Sequence, residues 1–307
     1  MDRRTFIKLQ ASGLLWATVG GPSLFPMLKP AFADSRPDIA VAKGSPAVAT
    51  RKAVDAIGGI NRFVKPGNKV IIKPNMSFAH KPENGSNTHP EVVREILIMC
   101  KEAGASKIRV LDHSLQDPEE ALNLSGIRDA CDSIEKGICH HLMASRFYND
   151  AEIKNGKEMK VNAFMRDVLE SDAIIAVPVA KSHGSTGVSL SLKGQMGLVY
   201  DRRSMHSRYK LDVSIVDLCT LAKPTLSVID ATRVLTTKGP GGPGEIITPG
   251  EVIASADPVA ADAMAVASYR WYGRQIQPRQ VGHIREAHER GLGRMDIENL
   301  RIERIVL

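Results

Sequence analysis

Apolar and polar positions alternate in blocks along most of this chain. Short unbroken apolar runs, with polar residues at their ends, are separated by longer stretches of helical periodicity. Residues 39–43 (IAVAK) predict a short strand, and Ser45-Pro46 supplies an N-cap and first-turn proline for a helix to about Ile57. Val70–Asn75 predicts a buried strand ending in a turn. Thr88-His89-Pro90-Glu91 is a capping box opening the helix EVVREILIMCKEAG, which Gly104 stops. Lys107–Leu111 is the next strand, and Asp117-Pro118 caps another helix. Residues 144–162 are polar and predict a loop with a short hairpin. A helix over 164–171 leads into the apolar strand Ala173–Val179, and a helix over 211–222 leads into Leu226–Asp230. The loop TTKGPGGPGE, a strand at Val252–Ser255, a helix through VAADAMAVASYRWYG, a last helix near 278–290 and a closing strand at Leu300–Ile305 complete the pattern.

Strands alternating with helices predict an α/β fold with a mixed, largely parallel sheet covered by helices on both faces. The unbroken apolar runs agree, because a sheet buried on both sides need not alternate. The irregular 184–210 segment is a candidate join between two lobes.

Residues 1–33 stand apart. Arg3-Arg4-Thr5-Phe6-Ile7-Lys8 precedes the weakly apolar ASGLLWATVGG, and Ala31-Phe32-Ala33 suits a leader peptidase. This pattern predicts a twin-arginine leader, with the export machinery as a partner and a periplasmic or extracytoplasmic destination for the folded protein. Gly13, Gly20, Gly21, Pro22, Pro26 and Pro30 interrupt the run, whereas ~20 continuous apolar residues are needed to cross a bilayer, so no span is expected after cleavage. Removing 33 of 307 residues leaves 274, enough for a single α/β domain over 34–307.

The net charge of +7 shrinks once the leader is set aside, since Arg3, Arg4, Lys8 and Lys29 against Asp2 carry +3 of it and leave about +4. That charge is scattered, which argues against a nucleic-acid partner and leaves small anionic molecules open. Cys100, Cys131, Cys139 and Cys219 form no C-x-x-C, so an iron–sulfur cluster is not expected. Cys131 and Cys139 could pair if their Cα atoms come within ~7 Å.

In open α/β sheets, ligands bind beyond the carboxyl ends of the strands. Lys73 and Asn75 follow one strand, Asp112 and His113 the next, Lys181 and His183 a third, Asp230 a fourth and Asp257 a fifth. Pro74-Asn75 also reads as a plain turn, and Asp257 reads first as an N-cap with Pro258 at the first helical position. A carboxylate directly after a buried strand needs a partner, a cation or water, which makes Asp112, Asp230 and Asp257 the candidate holders of a divalent metal. The densest stretch, KSHGSTGVSLSLKGQMG at 181–197, holds Lys181, His183, Lys193, five hydroxyl residues and four glycines. Glycines let backbone N–H groups approach an anion, and lysines and hydroxyls add donors. Arg202, Arg203 and His206 extend the cationic character. Lys73, Asn75, Lys193 and Arg203 are the candidate ligand-binding residues, with Lys181, His183 and His206 as candidate acid–base groups, since histidine titrates near neutrality. Neither a phosphate-binding loop nor a dinucleotide fingerprint is present.

IIKPN at 71–75, AKSHGSTGVSLSLKGQMG at 180–197, RRSMH at 202–206, DLCTLAKPTLSVIDA at 217–231, GPGGPGE at 239–245 and SADPVAADAMA at 255–265 together resemble the domain-of-unknown-function family 362, its twin-arginine-exported members in particular. The resemblance implies company with iron–sulfur proteins, because some members carry ferredoxin-type motifs that this chain lacks. Asp112-His113-Ser114 after a strand gives a weaker likeness to the amino-terminal domain of lactate-racemase-type proteins. Two functions follow as expectations. One is an exported protein, an enzyme or a binder, that takes a small anionic ligand in a Lys/His/Asp cleft. The alternative is a redox-associated or cofactor-maturation accessory without its own cluster.

Overall fold

The computed structural model describes residues 36–307. The twin-arginine leader expected over 1–33 lies outside the described residues. The first part of the chain forms β1 (Ile39–Lys43), α1 (Pro46–Ala56), β2 (Lys69–Pro74), α2 (Pro90–Glu102), β3 (Lys107–Asp112), α3 (Pro118–Ser125), α4 (Ile127–Asp132) and β4 (Cys139–His141). The middle forms β5 (Tyr148–Glu152), β6 (Val161–Met165), α5 (Arg166–Leu169), β7 (Ala173–Val177), β8 (Val179–His183), β9 (Gly187–Ser189), α6 (Ser191–Gly194), α7 (Arg202–Ser207) and α8 (Leu211–Leu221). The last part forms β10 (Leu226–Leu235), β11 (Ile246–Ile247), β12 (Glu251–Ser255), α9 (Pro258–Ser268), β13 (Arg270–Trp271), β14 (Arg274–Gln275), α10 (Gly282–Glu289) and β15 (Ile302–Val306).

The main sheet runs in the order β15-β1-β12-β10-β7-β2-β3-β4. β12 is antiparallel to both its neighbours, and the other pairs along that path are parallel. Successive side chains of a strand point to opposite faces. Ile39 and Val41 therefore enter one core while Ala40 and Ala42 enter the other. α1 and α2 cover the second face through Ala53, Val54, Val93 and Ile96. α8, α9 and α10 cover the first through Ile215, Val259 and Ile284. This is the mixed, largely parallel sheet with helices on both faces that the apolar runs predict. The 184–210 segment is threaded into the first core by Leu190, Leu192, Met196 and Leu198, and residues 36–307 group as one unit.

Several local expectations change. The cap of α2 is His89, whose Nδ1 accepts from Glu91 N at 3.1 Å. Pro90 occupies the first helical position, so Thr88 falls one residue outside the helix. Its hydroxyl instead joins two strand ends, accepting from Asn75 N at 2.9 Å and donating to Val177 O at 2.7 Å. The helix expected over 164–171 shrinks to α5, because Val161–Met165 pairs with β5 as a hairpin. α9 ends at Ser268, where Tyr269 turns extended and buries Trp271 beneath a small hairpin. β10 continues five residues past Asp230, to Leu235. All four cysteines are buried free thiols. Cys131 lies beside Cys139, and its hydrogen bond and the burial of the site push the Cys139 thiol well up. Among the described residues, no helix is long and apolar enough to cross a membrane.

Candidate functional site

The carboxyl ends of β2, β3 and β8 open into one cavity of about 570 Å³. β2 and β3 are adjacent and parallel, so Lys73 and Asp112 arrive side by side. Lys73 Nζ lies 3.1 Å from Asp112 Oδ1, with both side chains almost fully buried. The ammonium also donates to Pro74 O at 2.6 Å. Asp112 accepts from Ser77 Oγ at 2.8 Å, His113 N at 2.8 Å and Met76 N at 3.3 Å. Burial opposes its ionisation, but Lys73, His141, Arg202 and the Ser77 hydroxyl outweigh it and hold the carboxyl below its ordinary value. Gly197 roofs this pair. A Cβ there would fall 2.0 Å from Asp112 Oδ1 and 2.6 Å from Lys73 Cε, so only glycine permits the approach.

β8 contributes Lys181 and His183. Lys181 Nζ donates to Ser86 O at 2.5 Å and lies 4.8 Å from the Phe78 ring centroid. Burial, and then the Lys193 charge, push this lysine down to about 7. His183 Nδ1 accepts from Ser185 N at 3.2 Å, which places the neutral ring's proton on Nε2. Burial, Lys193 and His206 push His183 down to about 3, so it is uncharged at neutral pH. His206 stacks on it with ring centroids 6.4 Å apart.

Lys193 is carried by α6, a single turn whose first N–H groups are held from behind. Asp262 on α9 accepts from Ser191 N at 2.8 Å and Leu192 N at 3.0 Å. This carboxylate fixes the turn yet leaves the Lys193 ammonium unpaired. Burial, Arg202 and Lys73 lower Lys193 to about 8. α7 brings Arg202, Arg203 and His206, with Asp201 capping it through Ser204 N at 3.0 Å. Arg202 donates to Ser114 O at 3.1 Å. Among the described residues, the side chains of Lys193, Arg203 and His206 make no hydrogen bond or ion pair.

Lys73, Asn75, Asp112, Lys181 and His183 from the strand ends and Lys193, Arg203 and His206 from the 181–206 stretch all line this cavity. Asn75 also ties strands together, its Oδ1 accepting from Val179 N at 3.0 Å. Asp230 and Asp257 do not line it, and the metal role expected of them is corrected by their partners. Asp230 accepts from Thr232 N and Oγ1, His89 N and Arg233 Nη2. Asp257 caps α9 through Val259 N and Ala260 N and also accepts from Arg294 N. Asp257 is thereby spent on backbone groups, and Asp230 on backbone groups, the Thr232 hydroxyl and the Arg233 guanidinium. Among the described residues, no group of three or more His, Cys, Asp or Glu side chains is placed to hold a metal ion.

The family model described as Domain of unknown function (DUF362) matches residues 70–267. The chain belongs to that family. The matched DUF362 span contains every cavity residue named above. Thylakoid-associated protein sll1697 of Synechocystis sp. is 24% identical over 228 residues, which cover 71% of this chain and 68% of that protein. Among solved structures, the lactate racemase apoprotein of Thermoanaerobacterium thermosaccharolyticum aligns with a TM-score of 0.46 and 15% identity over 76% of this chain. A Thermotoga maritima protein aligns with a TM-score of 0.43 and 13% identity over 73% of it. This DUF362 chain spans 58% and 59% of the lengths of those two structures.

The strand-end pattern names His113 but not Tyr148 and Tyr200, the tyrosines that pack with it beside the DUF362 cavity. His113 lies 6.0 Å from Tyr148 and 5.9 Å from Tyr200, and the two tyrosine rings are 5.2 Å apart. They come from three separate segments, and no local spacing links them. Arg202 is legible beside Arg203 as one more cation, but its bond to the β3 end is not.

Proposed function

We propose that the protein binds a small anionic ligand in this Lys/His/Asp cleft. One observation carries the reading. Lys193, Arg203 and His206 line a cavity in which Asp112 is the sole buried carboxylate and is already paired with Lys73. Lys193 and Arg203 are cations without partners and His206 a neutral donor, and a bound anion would satisfy all three. Burial first, and then neighbouring positive charges, lower both Lys181 and Lys193, and an anion beside them would favour their charged forms. If the protein is an enzyme, Lys181 is the group best suited to move a proton near neutrality, with neutral His183 offering Nε2–H and His206 beside it. The leader motif supports work outside the cytoplasm, and the four buried thiols lend no support to a role beside iron–sulfur partners.

Thermal unfolding in sulfate tests the reading. A ligand at about 100 times its Kd adds about 2.7 kcal/mol, which for a domain of this size raises Tm by roughly 5–10 °C. The Lys193→Met/Arg203→Met variant should lose most of that gain. An equal rise with sodium chloride at matched ionic strength, or an undiminished rise in the variant, would overturn it.

A further inference from the structure

The cavity has two chemically different parts. Lys181, Lys193 and Arg203, with the stacked neutral rings of His183 and His206, form its polar, positively charged part. His113, Tyr200 and Leu115 form the other. Arg202 also lines the cavity and is anchored to the β3 end by its bond to Ser114 O at 3.1 Å. Tyr200 is 43% exposed and Leu115 59% exposed, although both line a concave site. Large apolar side chains left open inside a concavity mark a ligand surface. Tyr148 and His113 pack against Tyr200, so its ring is braced before any ligand arrives.

We propose that the occupant is a phosphate monoester joined to a flat ring, with the phosphate among Lys193, Arg203 and His206 and the ring against Tyr200 and His113. This rests on the anion-binding reading of the same cavity. Lys193 and Arg203 bring two unpaired positive charges, which match a dianion. An ammonium offers three N–H donors and a guanidinium five, more than the two oxygens of one carboxylate absorb and well suited to three phosphate oxygens. A cavity of about 570 Å³ lies within the range of sites that enclose molecules of nucleotide size.

Calorimetric titration of the full chain with adenosine 5′-monophosphate, ribose 5-phosphate and adenosine separates the two halves of the ligand. Stacking of a base on an aromatic side chain should make the nucleotide bind at least about tenfold tighter than the sugar phosphate. Adenosine should bind more weakly than either. Tyr200→Ala should bring the nucleotide to the affinity of ribose 5-phosphate and leave the latter within about twofold. Tyr200→Phe, which keeps the ring, should retain the gain. Equal affinity for nucleotide and sugar phosphate would overturn the ring contact while leaving anion binding intact. Adenosine binding as tightly as the nucleotide, or no binding of either phosphate, would overturn the anion reading and this proposal with it.

Discussion

Sulfate affinity should fall as pH rises from 7 to 9, and part of the fall should disappear with Lys193. Burial, and then the charges of Arg202 and Lys73, lower this lysine to about 8 in the empty cavity. A bound dianion favours the ammonium and returns the group toward its ordinary value. The bound-state value is therefore the higher one. The contribution to binding is complete below about 8 and is lost as pH climbs through that value. At pH 9, one unit above, about ten in eleven empty sites have shed the proton and must regain it on binding, which weakens affinity about tenfold. Lys181, lowered to about 7, adds a further decline beginning one unit earlier if it too recharges. Sulfate does not itself titrate across this range, so the slope belongs to the protein. Calorimetry at constant ionic strength, repeated in buffers of different ionisation enthalpy, measures both the affinity and the protons taken up. Lys193→Met should bind sulfate more weakly, lose one lysine's share of the uptake, and shift the remaining decline to higher pH because Lys181 is freed of its largest repulsion. A flat affinity between pH 7 and 9, or an unchanged slope in Lys193→Met, would refute the reasoning.

Two further outcomes concern the supports of the site. Asp112→Asn leaves the Lys73 ammonium buried without its counter-charge, and breaking one side of such a pair costs about 3 kcal/mol, or roughly 6–12 °C in Tm. Urea unfolding should show this loss, and Lys73→Met/Asp112→Leu should recover most of it; a loss below about 1 kcal/mol for Asp112→Asn would count against a structural ion pair. Asp262 is pushed by burial up to about 7, against the N–H groups of Leu192 and Ser191. Its folded value exceeds the unfolded 3.8, so the native state holds the proton longer and stability falls from pH about 4 to 7. Asp262→Asn should flatten that fall, whose ceiling is on the order of 4 kcal/mol, in urea titrations across the same window.

The strands were legible because the sheet is buried on both faces, so Val70–Ile72 and Ala173–Val177 appear as plain apolar runs and Leu226–Ile229 as one broken only by the buried Ser227. The cleft was legible for a related reason. A polar residue straight after such a run must meet a partner or a ligand, and Lys73, Asp112, Lys181 and His183 do so in one place. The same argument fails for Asp230. Thr232 and Arg233 take its oxygens from within three residues, but its third partner, His89, lies 141 positions away, and the strand runs on past Asp230 to Leu235. Asp257 shows the opposite case, since Pro258 marks the cap locally and the helix N-terminus absorbs the charge. The end of α9 was hidden by composition: SYRWYG continues a helical pattern, but burying Trp271 requires the chain to leave the helix at Tyr269. The aromatic wall depends on three rings converging from distant segments, which is a property of the fold alone.

The two supporting carboxylates explain why the cavity stays cationic. Asp112 stands under Lys73 and neutralises it, with Gly197 leaving room for the pair. Asp262 stands behind Lys193 and spends its oxygens on the backbone of α6. It sets the position of that lysine without pairing its charge. A carboxylate placed to meet the Lys193 ammonium directly would relieve the repulsion that adds to burial in lowering Lys181, His183 and His206, and it would fill the place proposed for a ligand's anion. Holding the turn from behind keeps the cation fixed in position and available. On the proposed reading, that arrangement leaves the three N–H donors of Lys193 for the oxygens of an anion.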